Sequence, residues 1–367
     1  MPHTDLPDHT IDARSLGYVP SDGALVRDTP FLTDVLRQTR RSSLWWAWGA
    51  PVFALLALGA LVDDLWFPAL LALVGLLLRW GWVLWRLPYH PKLAAVADVP
   101  IRSVPLAGDD IVLTRWVTAV RVDAPAGAGW AYGLFPRAHR KLLLRHRRVH
   151  LVARPGSRRV LLLIPGSLAV LGARLRDAPP ARARGAHPSA PPRDHLVSAV
   201  PASDEVFSLW VRAAARNTLV LAGLAVALGA AMGTSSLLPL LDSRPGGDPI
   251  WNVLGLLAAV ASVLWSLQVA RTTVRLRRRY RRARAWVSLP ARVDALDVDG
   301  PARYTITATV WHPDGRAEQI CASGTPVDLV AAVVDTGRLW ILDSTVAGSM
   351  WAVGVPGHPV VALVGHG

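Results

Sequence analysis

The chain has 367 residues, of which 52% are hydrophobic and 18% charged, with a mean hydropathy of +0.32 and a formal charge of +14. So apolar a chain does not read as a string of soluble domains and points to a membrane protein. Its basic excess would argue for nucleic acid only if it covered a soluble surface. The single cysteine, Cys321, excludes an internal disulfide and a cysteine-built metal cage.

Residues 1–28 read as a disordered tail. They lack a basic region followed by an apolar one, so no cleavable signal is expected. Residues 29–43 read as an interfacial helix, with Thr29 as N-cap and Pro30 at the first helical position. The run 44–87 then reads as a membrane hairpin. Its two apolar stretches, 44–62 and 65–87, can each span about 30 Å of hydrocarbon, and they are joined at Asp63 and Asp64.

Residues 88–172 read as a β-rich domain. Its stretch GAGWAYG, 127–133, has the wrong spacing for a dinucleotide loop and reads as a flexible connection. His146 and His150 in RHRRVH stand four apart, but the surrounding arginines would repel a cation, so no metal is expected there. HLVARPGSRRVLLLIPG reads as two strands about a Pro-Gly turn. The Pro-, Ala- and Arg-rich segment 173–202 reads as a disordered linker.

A second round follows. Residues 203–216 repeat the interfacial helix, with Ser203 as N-cap ahead of Asp204 and Glu205. FLTDVLRQTRRSSL lies on VFSLWVRAAARNTL without a gap, so an internal duplication is expected. Residues 217–270 read as a second membrane hairpin. Small residues in it, Ala225, Gly229 and Gly233, then Gly255 and Ala259, are spaced for close helix packing and possible homo-oligomerisation. Residues 271–288 read as a basic juxtamembrane helix. Arg271, Arg275, Arg277, Arg278, Arg279, Arg281, Arg282 and Arg284 would mark the cytoplasmic side and touch anionic lipids.

Residues 289–367 read as a second β-rich domain. Tyr304, Ile306, Ala308 and Val310 alternate with Thr305, Thr307, Thr309 and Trp311 ahead of a turn at Pro313 to Gly315, and LVAAVVDTGRLWILDS reads as further strands about Thr336 and Gly337. Cys321 is expected to be buried and inert.

The expected fold class is therefore a membrane α-helical protein, four transmembrane helices as two hairpins, with small cytoplasmic β-rich domains. Both termini would be cytoplasmic and the location the plasma membrane. In layout this resembles the uncharacterised multi-pass membrane proteins of high-G+C actinobacteria, and the resemblance implies no activity, cofactor or site residue. No catalytic, cofactor or metal constellation is legible. The expected role is non-enzymatic binding of a protein partner, or sensing, by the β domains. The alternatives are a channel-like or transport-accessory subunit, or a membrane tether for nucleic acid through Arg271 to Arg284. Scarce interleaving of aromatic and basic residues outside that tract weighs against nucleic acid.

Overall fold

The computed structural model describes residues 10–12, 18–29, 31–37, 40, 73–74, 76–77, 81, 92–115, 117–125, 127–180, 196–198, 200–241, 249–300, 303–343 and 350–366. Contacts divide the chain into two units: Met1–Trp45, Val83–Trp210 and Tyr280–Gly367 in the first, Trp46–Trp82 and Val211–Arg279 in the second.

The first unit contains two sheets of one topology. Strands β2 (Arg102–Pro105), β3 (Ile111–Leu113), β4 (Thr118–Ala124), β5 (Gly127–Gly133), β6 (Arg148–Ala153), β7 (Arg159–Leu163) and β8 (Val170–Arg176) form a seven-stranded sheet in the order β2-β6-β7-β8-β5-β4-β3. Strands β10 (Trp286–Gly300), β11 (Arg303–Trp311), β12 (Ala317–Pro326), β13 (Arg338–Leu342), β14 (Met350–Gly354) and β15 (Val361–His366) close into a barrel in the order β10-β11-β12-β15-β14-β13.

The two orders coincide when β2 and β3 together take the place of β10. That long strand gives residues 286–290 to β13 and 291–300 to β11, and its β11-paired part carries bulges at Val293/Ala295 and Val298/Gly300. In the first sheet the same strand is broken by a 3-10 turn, Gly108–Asp110, where the Asp110 carboxylate accepts the Ala107 N–H at 2.8 Å.

Each half inserts one ten-residue helix before the equivalent strands β6 and β13. We label the helix over 32–37 α1, then α2 (Arg137–His146), α3 (Glu205–Leu241), α4 (Pro249–Arg282) and α5 (Val327–Thr336). Both α2 and α5 follow a proline and end on a left-handed residue, Arg147 at φ 46° and Gly337 at φ 63°. The β7–β8 and β14–β15 turns also match. Ile164-Pro-Gly-Ser and Val355-Pro-Gly-His each carry glycine at φ 80° and the same closing bond, Ser167 N–H to Ile164 O and His358 N–H to Val355 O, both 3.0 Å.

One core fills the barrel and extends beneath the first sheet, joining Tyr304, Ile306, Trp351 and α5 to Val152, Leu161 and Leu163. A second, with Leu142, Leu143, Val149, Leu151, Val160 and Leu162, lies between that sheet and α2. Because β6 and β7 are covered on both faces, VLLLI is apolar without alternation.

Several expectations need correction. Among the described residues no helix is long and apolar enough to cross a membrane, a finding that concerns helices and not strands. It overturns the α-helical multi-pass fold class, the functions and topology built on it, and the plasma-membrane location; the architecture described is β-rich. The first hairpin, 44–87, falls outside the described residues except for positions 73, 74, 76, 77 and 81. In the second, the apolar runs are parts of longer helices with charged ends. Helix α3 includes Glu205, Arg212 and Arg216, and α4 carries arginines from Arg271 to Arg282. A hydropathy window isolates such a run, whereas the fold continues the helix through it.

The tail and linker expected to be disordered also contribute structure. Strand β1 (Thr10–Asp12) pairs with β9 (Leu196–Ser198), and Val26 is fully buried. The segment LVAAVVD is helix α5, not strand. It is apolar on most sides because the barrel core surrounds it, and Gly337 ends it. The juxtamembrane helix stops at Arg282, and Trp286 already begins β10.

Candidate functional site

Two polar constellations stand out in the first unit. The first is buried and ties the two Pro-Gly turns to their surroundings. Asp204, 1% exposed, caps α3 by accepting the N–H groups of Val206 and Phe207 at 3.1 and 3.2 Å. Its other oxygen accepts the Gly357 N–H at 2.6 Å. Arg145, from the end of α2, donates to the Gly357 carbonyl at 2.6 Å and lies 3.9 Å from the Asp204 carboxylate. Burial raises the Asp204 pKa, while Arg145 and the three N–H donors pull it back.

His358 donates from Nδ1 to the Pro356 carbonyl at 3.0 Å, and its Nε2 presses on Gly166, where a Cβ would sit 2.0 Å away. His139 meets the Ser167 hydroxyl at 3.3 Å. Burial drives both imidazoles down to about 4, so they are neutral near pH 7. Asp328, in the first turn of α5, accepts the Leu168 N–H, and burial pushes its carboxyl up to about 6. Each of these groups directs its hydrogen bonds to a turn or a helix end, which is a structural use. Among the described residues no group of three His, Cys, Asp or Glu side chains is placed to hold a metal ion.

The second constellation is on the outer face of the first sheet. Strand register places Arg121 of β4 beside Trp130 of β5, and Trp130 beside Arg176 of β8. Two residues along, Ala119, Tyr132, Arg174 and Arg159 form the next row across β4, β5, β8 and β7. Side chains two apart on a strand share a face, so these rows form one patch. The four arginines are exposed and both rings half-exposed. The Arg176 guanidinium lies 4.8 Å from the centre of the Tyr132 ring, and the Tyr132 hydroxyl donates to the Ala178 carbonyl at 2.7 Å. Acidic groups nearby are Asp123, which shares this face two residues from Arg121 as the partner of Ala128, and Asp177, 3.7 Å from Arg158.

The residues singled out in the sequence are elsewhere. GAGWAYG is strand β5, its glycines facing inward and its Trp and Tyr outward. His146 ends α2 and His150 lies buried in β6, so the four-residue spacing never falls on one helix. Cys321 is exposed, because Ile320 and Ala322 take the inward positions of β12. The arginines from Arg271 to Arg282 lie on α4, and Arg284 follows it. The aromatics beside that tract are structural: Tyr280 is buried and donates to the Pro201 carbonyl at 2.8 Å, and Phe207 packs on Tyr280 and Trp286. Of the small residues expected to pack helices, Gly233 is half-buried, while the side-chain surroundings of Ala225, Gly229, Gly255 and Ala259 lie outside the described residues.

The first helix caps also differ from expectation. Asp204, not Ser203, caps α3, and the Thr29 hydroxyl donates back to the Leu25 carbonyl at 2.9 Å. Along the sequence the outer-face patch gives one weak signal, Trp and Tyr two apart between glycines; its cations come from three other strands. No family model matches the chain, and no curated protein or solved structure shows significant similarity to it.

Proposed function

We propose that this protein is a non-enzymatic binding protein that takes a polyanion on the outer face of its seven-stranded sheet. The observation that carries this reading is the patch of Arg121, Arg159, Arg174 and Arg176 around Trp130 and Tyr132. The barrel offers an internal comparison. At the corresponding strands it turns Arg303, Thr305, Thr307, Thr309 and Trp311, then Gln319 and Cys321, outward, with the Arg292 guanidinium 6.0 Å from the centre of the Trp311 ring. The middle of this face is neutral in the barrel, so a cluster of four arginines around two rings is not required by the shared topology. Their chemistry suits a partner with many negative charges, held by guanidinium groups that match phosphate geometry.

The test is binding of inorganic polyphosphate to the full chain at rising salt. Wild type should bind with strong salt dependence. Arg159→Gln/Arg174→Gln/Arg176→Gln should bind about tenfold or more weakly and with a shallower salt slope, since a face with fewer guanidinium groups displaces fewer counterions from the polyanion. Unchanged affinity in a variant that melts like wild type would refute the reading, because the remaining basic residues would then account for the binding.

A further inference from the structure

Resting on that reading, we propose that the polyanion is a single-stranded nucleic acid, whose bases stack on Trp130 and Tyr132 while its phosphates follow Arg159, Arg174 and Arg176. The cations lie to one side of the rings. Arg176 and Arg174 are the β8 partners of Trp130 and Tyr132, and Arg159 is the β7 partner of Arg174. A strand of nucleic acid crossing this face therefore meets a row of guanidinium groups along one flank and two aromatic rings along the other, with Arg121 closing the far side of Trp130.

Single-stranded rather than duplex nucleic acid follows from what a ring can reach. The two rings project from positions two apart on β5, about 6.6 Å at about 3.3 Å per residue. That is about twice the 3.4 Å separation of stacked bases along one strand. Bases resting on both rings must be parted from each other, and a duplex does not expose base faces to side chains. Room is left beside Trp130, where the exposed Ala128 precedes it on the same face, whereas Ala119 opposite Tyr132 is covered. The hydroxyl bond to Ala178 holds the Tyr132 ring in place. The Arg176 guanidinium already lies over it and is exposed, so it can extend a stack or turn to a phosphate. An anionic lipid surface would use the arginines and seat the rings at headgroup depth, but it does not call for rings parted by about two base-stacking separations, and vesicles are therefore the competing ligand in the test. Stacking on a ring accepts any base, so the binding is expected to be tolerant of sequence.

The test uses the full chain, labelled oligo(dT), an abasic strand of equal length, inorganic polyphosphate, and vesicles containing phosphatidylglycerol. Wild type should bind oligo(dT) more tightly than the abasic strand. Trp130→Ala/Tyr132→Ala should lose about 30-fold or more for oligo(dT), from stacking on two bases, and less than about twofold for polyphosphate. Trp130→Phe, which keeps two rings in the sheet and the Tyr132 hydroxyl bond, should retain most of the affinity. Equal binding of abasic strand and oligo(dT), or an alanine variant that binds oligo(dT) like wild type, overturns the stacking proposal. In that case the polyanion reading still stands if the triple arginine variant has lost polyphosphate. Tighter binding to vesicles than to oligo(dT) at physiological salt assigns the face to a lipid surface and also overturns the proposal.

Discussion

Replacing Asp204 by alanine removes three separable interactions, and their sum can be worked from the structure. Losing the α3 cap costs about 1 kcal/mol. Leaving the buried Gly357 N–H without an acceptor costs about 1–3 kcal/mol. The ion pair with Arg145 adds less than a bare Coulomb estimate would give, because at 3.9 Å it is set against the desolvation that raises the Asp204 pKa. The expected total is about 2–4 kcal/mol, measured as the shift in equilibrium urea unfolding. Asp204→Asn keeps one oxygen for the cap but turns an amide toward another N–H, and should cost about 2 kcal/mol. Ser203→Ala supplies the contrast: its hydroxyl only donates to the exposed Val200 carbonyl at 2.8 Å, so the change should stay within about 0.5 kcal/mol. An Asp204→Ala cost below about 1 kcal/mol, or a Ser203→Ala cost as large, would show that the start of α3 and the β14–β15 turn are not held through this carboxylate.

Two further perturbations test the buried groups. Asp328 has a folded pKa of about 6 against an ordinary 3.8, so its contribution is fully favourable below 3.8 and is lost as pH rises through 6. Asp328→Asn should therefore gain about 1–3 kcal/mol at pH 7 and match wild type near pH 3.8, as read by unfolding across that range. His139 and His358 act in the opposite sense: their folded values of about 4 give stability present above 6.5 and lost as pH falls toward 4, and His139→Gln should flatten that acid limb. Among the glycines, Gly166→Ala should cost about 3 kcal/mol or more, since it combines φ 80° with a Cβ against the His358 ring. Gly337→Ala, left-handed but with open space around its Cβ, should cost about 1 kcal/mol by thermal unfolding.

Local patterns carried much of the β structure. Tyr304, Ile306, Ala308 and Val310 are buried in β11 and the threonines between them are not, because a half-covered strand writes its two faces into alternate positions. The Pro-Gly turn between β6 and β7 was legible for the same local reason, as the turn is set by its own residues. Apolar runs were less informative. LVAAVVD is helix because the barrel core encloses it, and the runs of α3 and α4 are segments of longer helices, and no window over the sequence alone reports what covers a run or where its helix stops.

The sequence by itself determined the alternation of the strands, the turns and the large arginine excess. Only the tertiary structure decided which arginines meet which rings. Trp130 and Tyr132 stand two apart in the chain, but their cations come from positions 121, 159, 174 and 176, brought alongside by cross-strand register. Along the chain the densest basic run is 271–284, whose neighbouring Tyr280 is buried. The physical reason is that side-chain neighbours on a sheet are fixed by hydrogen-bonded pairing between strands, a relation with no counterpart in sequence spacing.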